Sequence, residues 1–304
     1  MRSMVGVTAV ATVGAGIVAY RYRRDLGNAR ARLARVDRKT VRTDWGLVEY
    51  AERGAGEPVL VSHGIFHGCD GGLLATREEI TGLRVIVPSR FGYLGSAMPA
   101  DASAAEQADA FVALLDLLEI TRADVVGISA GTGAALQTAL RHPGRVGHLV
   151  VSSGNWPGSP TAQAPPQWAK AFYSDPAMWA MRTFVPPMMG RLMGVPVGFP
   201  RDENDARRME EMLESIFPLE PRREGAVFDA FVSNPQVGEY PLEDITVPTL
   251  VIHAADDPLA SPEAAAAAAG RIPAATLVSL PSGGHLGLGQ TGRVREEISG
   301  FLET

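Results

Sequence analysis

Two rhythms of apolar residues alternate along most of this chain. Short apolar runs at 58–62, 83–87, 123–126, 148–152, 249–253 and 275–280 read as strands buried on both faces. Between them the spacing turns helical. In 104–118, Phe111, Leu114, Leu115 and Leu118 share one face, 132–141 is built of good helix formers, and 73–80 bridges two strands. Strands alternating with helices predict an α/β protein with a mostly parallel sheet and helices on both faces. Residues 39–45 and 48–51 read as a hairpin across Gly46, which sets an antiparallel strand at one edge of that sheet.

From 156 to 240 the alternation stops. The stretch carries Trp156, Trp168, Trp179, Phe172, Phe184 and Phe217, with Met178, Met181, Met188, Met189, Met193, Met209 and Met212, and prolines interrupt it repeatedly. Within it, 202–216 aligns Ala206, Met209, Leu213 and Ile216 on one side, the pattern of a surface helix. Lying between two sheet strands, the segment is expected to form a helical cap, with the methionines and aromatics making a deformable apolar pocket. The domain plan is therefore a core of 39–155 and 241–304, a cap of 156–240, and a separate N-terminal segment of 1–38.

The strand 123–126 runs into Gly127-Ile128-Ser129-Ala130-Gly131, and a helix follows at once. A serine at a sharp strand-to-helix turn is held in strained backbone with its hydroxyl clear of the sheet. Glycines two positions to either side let strand and helix pass close. Such a serine needs a base, and the base an orienting acid. Past the strand 249–253 come Asp256 and Asp257, adjacent carboxylates ahead of Pro258; past 275–280 comes Gly283-Gly284-His285. Both follow C-terminal ends of parallel strands, the rim on which the serine stands.

With His63-Gly64-Ile65 after strand 58–62, these pieces resemble the α/β-hydrolase fold family, in its serine branch with a helical cap. The resemblance covers residues from about 41 to the C-terminus and implies an eight-stranded sheet. It also implies a Ser129–His285–Asp257 triad, because the family's acid stands directly before the proline, leaving Asp256 as a solvated loop charge. The backbone amides of Ile65 and Ala130 are the implied oxyanion donors, and Phe66 the implied pocket wall. The expected activity is hydrolysis of an apolar or aromatic carboxylic ester through an acyl-enzyme. Amide, thioester or C–C hydrolysis and perhydrolysis use the same apparatus, and a non-catalytic binding protein is the remaining reading. Dehalogenases and epoxide hydrolases of this fold carry a carboxylate where Ser129 stands.

Composition narrows partners more than chemistry. A net charge of −6 over 304 residues offers no basic face for nucleic acid. No cofactor or phosphate-loop motif appears, and the six histidines show no metal-site pattern. The lone cysteine, Cys69, excludes an internal disulfide and reads as a bystander to the chemistry. The expected partner is a small apolar ester; oligomeric state is open. Residues 4–20 hold no charge and precede Arg21, Arg23 and Arg24. Three readings are open: a membrane anchor, a cleaved secretory peptide, or a packing helix. The arginines after the stretch favour an anchor that leaves the enzyme on the cytoplasmic face, with 27–35 as a basic helical stalk.

Overall fold

In the computed structural model, residues 2–303 are described, with side chains from residue 15 onward. Eight strands form one sheet in the order β1-β2-β4-β3-β5-β6-β7-β8. They are β1 (Lys39–Thr43), β2 (Gly46–Arg53), β3 (Pro58–Ser62), β4 (Arg84–Pro88), β5 (Ala123–Ile128), β6 (Val146–Ser152), β7 (Thr249–Ala254) and β8 (Ala275–Leu280). From β4 to β8 every pairing is parallel, while β2 runs antiparallel to both β1 and β4. The hairpin turn falls on Asp44 and Trp45, one step before the expected pivot; Gly46 opens β2 opposite Thr43, at φ 100°.

The helices are α1 (Arg2–Ala34), α2 (Cys69–Ala75), α3 (Ala104–Leu117), α4 (Thr132–Arg141), α5 (Asp175–Phe184), α6 (Pro186–Leu192), α7 (Glu203–Ser215), α8 (Arg223–Phe228), α9 (Asn234–Gln236), α10 (Pro262–Arg271) and α11 (Thr291–Leu302). α3, α4 and α10 cover one face of the sheet, burying Phe111, Leu114, Leu136 and Ala265 against Leu60, Val125, Leu149 and Val251. α2 and α11 cover the other, where Val59, Val61, Val126 and Ile252 meet Cys69 and Ile298. At 25 cal/mol per Å² of apolar burial, each fully buried Leu or Ile contributes about 2 kcal/mol before entropy. α2 starts and ends earlier than the 73–80 spacing suggests, and at its end the Thr76 hydroxyl donates to Gly72 O (2.9 Å).

Residues 153–248 connect β6 to β7 through short helices, α5 to α9, laid over the C-terminal ends of the strands. Their own core joins Met178, Trp179, Met189, Ile216, Phe217 and Leu219. α1 belongs to that core too. Tyr22, Leu26 and Ala29 pack into it, Trp179 Nε1 donates to Asp25 (3.0 Å), and Arg32 donates to the carbonyls of Glu214 and Phe217. The stretch expected to be a stalk is thus docked along one side of the insert. No helix among the described residues is long and apolar enough to span a membrane, so the spanning form of the anchor gains no support. Residues 4–14 of that stretch lie outside the described side chains.

Candidate active site

β5 delivers Ser129 into a tight turn, Ser129–Gly131, with φ 51° at the serine itself. This left-handed backbone is costly for a residue with a Cβ and persists only where the surroundings enforce it. They do so through the flanking glycines. A Cβ on Gly127 would meet the Ala135 Cβ at 2.7 Å, and one on Gly131 would lie 2.0 Å from the Ser62 carbonyl oxygen. The first glycine lets β5 pass under α4; the second lets the turn sit against the end of β3. The Thr132 hydroxyl donates to Ser129 O (2.6 Å) and accepts from Asn155 N (3.2 Å), tying the turn to the start of the insert.

Two loops bring the partners. His285 Nε2 lies 2.8 Å from Ser129 Oγ, and its Nδ1 lies 2.8 Å from Asp257 Oδ2. A carboxylate only accepts, so His285 carries its proton on Nδ1 and presents a lone pair at Nε2 to the serine hydroxyl. Asp257 Oδ1 accepts from Leu259 N (2.8 Å) and Ala260 N (3.1 Å). Burial by itself would raise this carboxyl. Hydrogen bonds from His253 and His285, the His285 charge and the Leu259 amide outweigh it and hold the group well below the usual carboxylate range. His253, which the sequence pattern places only within a strand, has its Nε2 3.3 Å from Asp257 Oδ2 and 3.0 Å from Ala260 O. Both are acceptors, so that nitrogen bears hydrogen and fixes the acid from behind. Asp256 is not a free loop charge either. Its Oδ1 accepts from Gly284 N (2.8 Å) and pins the loop that carries His285.

The loop after β3 is organised from a buried histidine. His63 Nε2 accepts from Arg90 N (3.0 Å), so its Nδ1 carries hydrogen and donates to Gly64 O (2.8 Å). Burial first, and then the Arg90 charge, keep His63 neutral by pushing its pKa well down. In a trans peptide the C=O and the following N–H point opposite ways. Holding Gly64 O against the His63 ring therefore turns the Ile65 N–H away from it, on the side where Gly64, Ile65, Ala130 and Ser129 line one cavity. Arg90 Nε also donates to His63 O (3.0 Å), and its guanidinium forms a two-pronged pair with Asp229 (2.5 Å on both arms), which the Tyr93 hydroxyl joins. Nothing in the sequence pattern flagged Arg90 or Asp229; they are 139 positions apart.

The cavity over Ser129 measures about 330 Å³. Phe66 stands in its wall with Tyr173, ring centroids 5.6 Å apart. From the insert come Asn155, Thr161, Leu192, Met193, Met212, Ala230 and Asn234. Of the aromatics and methionines expected in this wall, only Met193 and Met212 arrive; Trp156 is wholly buried in the sheet core and Trp179 in the core of the insert. His67 also lines the cavity. Ser215 Oγ spends its proton on Met212 O (2.8 Å), so it accepts from His67 Nδ1 (3.1 Å), and the ring keeps a lone pair at Nε2. Burial, and then Arg222 and Arg90, lower His67 to about 3, so it stays neutral. Cys69 is buried at the start of α2, with its thiol pushed up to about 12 by burial and unreactive there. His63 and His67 are each held by protein partners.

A family model described as the alpha/beta hydrolase fold matches residues 57–290. An uncharacterised hydrolase of Bacillus subtilis is 36% identical over 117 residues, covering 38% of this chain; the match spans about two fifths of that protein's length (40%). A 2-hydroxymuconate semialdehyde hydrolase of Pseudomonas putida is 30% identical over 77% of this chain and 82% of its own length. The structure of an alpha/beta hydrolase fold protein from Nakamurella multipartita superposes with a TM-score of 0.73 at 27% identity, covering 88% of this chain and 99% of that one.

Proposed function

The chain belongs to the α/β-hydrolase fold family, and from that premise we propose that it is a serine hydrolase cleaving a neutral, apolar carboxylic ester through an acyl-enzyme. One observation carries the reading: a hydroxyl, an imidazole and a carboxylate, in two contacts of 2.8 Å each, in tautomers that suit proton transfer. Ser129 Oγ attacks the acyl carbon while His285 Nε2 takes its proton. Asp257 steadies the resulting imidazolium without itself becoming protonated. The Ile65 and Ala130 amides receive the oxyanion, aided by the N-terminal dipole of α4. Collapse expels the alcohol, which takes the proton from His285, and water repeats the sequence to free the acid and Ser129.

A neutral substrate, rather than an anionic one, is supported by the charge of the wall. The residues lining the cavity include no Arg, Lys, Asp or Glu. An anionic substrate would be desolvated there without a counter-ion, which is strongly unfavourable. C–C hydrolysis is the second reading, favoured by the Pseudomonas putida relative, whose named substrate is a muconate derivative and so bears a carboxylate. The test is turnover of a short p-nitrophenyl ester beside matched amides and a vinylogous diketone acid. Wild type is expected to cleave the ester, and Ser129→Ala to lose at least about 10³-fold of that rate. Ester turnover unchanged in Ser129→Ala, or diketone acid cleaved faster than any ester, would overturn the proposal.

A further inference from the structure

The apolar lining of the cavity does not end at its mouth. Leu192 lines the cavity and is also 36% exposed. One turn earlier on α6 stands Met188, at 45%, and just before that helix Val185 and Phe184, the last residue of α5, are exposed at 45% and 59%. The Phe184 ring lies edge-on against Trp179, centroids 5.6 Å apart, and Tyr22 of α1 also meets Trp179 edge-on, at 5.4 Å. From Tyr22 the same face of α1 continues one turn back to Val18, while Ile17 and Tyr20 stand on other faces of the same turns, and Ile17, Val18 and Tyr20 are all exposed. Two exposed apolar patches therefore flank the buried Trp179, one running from the cavity edge along α6 to Phe184 and one at Ile17, Val18 and Tyr20 of α1. A monomer in water rarely leaves large apolar side chains clustered in this way uncovered.

Charge says what covers them. Arg21, Arg23 and Arg24 stand exposed directly behind the apolar turn of α1, and Arg191 stands exposed on α6 beside Leu192, although the chain as a whole is acidic at −6. Apolar side chains bordered by arginine are the pattern that lies in an anionic lipid surface: the apolar face enters the acyl region and the guanidinium groups meet phosphate. A helix that does not span the bilayer satisfies this arrangement fully, and residues 4–20 carry no charge that would oppose it.

We infer that α1 and α6 dock this protein on an anionic phospholipid bilayer, with the cavity mouth facing the lipid, and that its ester substrate is a bilayer-dissolved, long-chain acyl ester entering past Met188 and Leu192. The substrate part rests on the serine-hydrolase reading. The docking part does not.

The full chain is mixed with vesicles of phosphatidylcholine alone and of phosphatidylcholine with phosphatidylglycerol, and sedimentation measures the bound fraction. Turnover is followed on a water-soluble short ester and on a long-chain ester dissolved in the vesicles. Wild type is expected to bind the anionic vesicles at least about tenfold more tightly than the neutral ones, with salt weakening the binding. Phe184→Glu/Met188→Glu replaces no residue of the cavity lining. It is expected to lose about tenfold or more of vesicle binding and of long-chain turnover, with soluble-ester turnover within about twofold and an unchanged melting temperature. Arg21→Glu/Arg23→Glu should lose the preference for anionic vesicles. Wild type that sediments with neither vesicle, or a Phe184→Glu/Met188→Glu protein that binds like wild type, overturns the docking. So does a wild type that is dimeric in solution where the Phe184→Glu/Met188→Glu protein is monomeric, since the surface then belongs to a second copy. Vesicle binding with no Ser129-dependent turnover of either ester sinks the hydrolase reading and the lipid substrate together, yet leaves the docking standing.

Discussion

The two walls of the cavity are built in opposite ways. On the sheet side the working groups hang from strand ends, and backbone holds them. The glycines of the elbow, the amides of Leu259 and Ala260 under Asp257, and the Gly64 carbonyl on His63 fix positions to within a hydrogen bond. On the insert side the wall is assembled from side chains of scattered short elements: Thr161, Tyr173, Met193, Met212 and Asn234. Backbone geometry tolerates few substitutions, whereas a wall of side chains is altered by any one of them. Reaction type should therefore respond steeply to changes on the first side, and substrate preference gradually to changes on the second.

The steepest response is expected at Asp257. In Asp257→Asn the amide can offer His285 a hydrogen where it now offers a lone pair, which reverses the imidazole tautomer. A fall of about 10³–10⁴-fold in kcat is expected for the short ester, with KM little moved. A variant that keeps a tenth of the wild-type rate would exclude Asp257 as the orienting acid. The same substitution has a signature in stability. Asp257 is held ionised in the fold, below its value of about 3.9 in the unfolded chain. Its contribution is complete above the unfolded value and is lost as pH falls through the depressed folded one, because the unfolded chain binds the proton first. Denaturant midpoints between about pH 5 and 3 should therefore fall more steeply for wild type than for Asp257→Asn, and parallel curves would contradict the depressed pKa.

His63 is the next test on the same side. It touches no substrate atom; it orients the Gly64–Ile65 peptide. His63→Ala frees Gly64 O, and the Ile65 amide loses its fixed aim. One lost oxyanion donor predicts a fall of about 10²–10³-fold in kcat. KM for the same ester should stay within a few fold, since the donor acts in the transition state. A change in KM alone would make His63 a packing residue. Buried Ala substitutions also destabilise, so the comparison belongs at a temperature where circular dichroism finds both proteins folded.

The contrast between the walls also explains what the sequence disclosed. The elbow was readable because left-handed backbone at Ser129 and crowding at Gly127 and Gly131 restrict the residues that fit. His285 and Asp257 followed because parallel strands bring their C-terminal loops to one rim. His253, Arg90 and Asp229 escaped notice because a histidine inside a strand, an arginine after one and an aspartate in a helical segment have no local signature. Their role exists only once the chain has closed on itself. The tryptophans of the insert make the point more sharply. Trp156 goes to the sheet core, Trp179 to the core of the insert, and Trp168 is 69% exposed. Local pattern predicts that such residues are apolar contacts, but where short helices cross decides what they contact. Likewise α1 carries basic residues that suggested a free stalk. Ala29, at 2% exposure, and the Arg32 bonds to two carbonyls show one face of it buried instead.

The gentlest response should come from the side-chain wall. Met212 is 6% exposed, lines the cavity from α7 and takes no part in the Ser129–His285–Asp257 chain of bonds. Truncation in Met212→Ala opens room for roughly two to three extra methylene groups at the far end of the acyl chain. Each methylene that finds apolar contact is worth about 1 kcal/mol or a little more in transition-state binding. The ratio of kcat/KM for a longer over a shorter soluble ester should rise about tenfold, while kcat for the shortest ester changes little. An unchanged chain-length profile would mean that the acyl group lies along another wall, with Met193 the next residue to truncate. A collapse of kcat for all esters alike would mean that α7 also positions the catalytic loops, through the Ser215–His67 bond and the Gly289 amide on Asp205 (2.8 Å). That outcome would erase the division of labour between the two walls, because the insert would then be setting the chemistry as well as the fit.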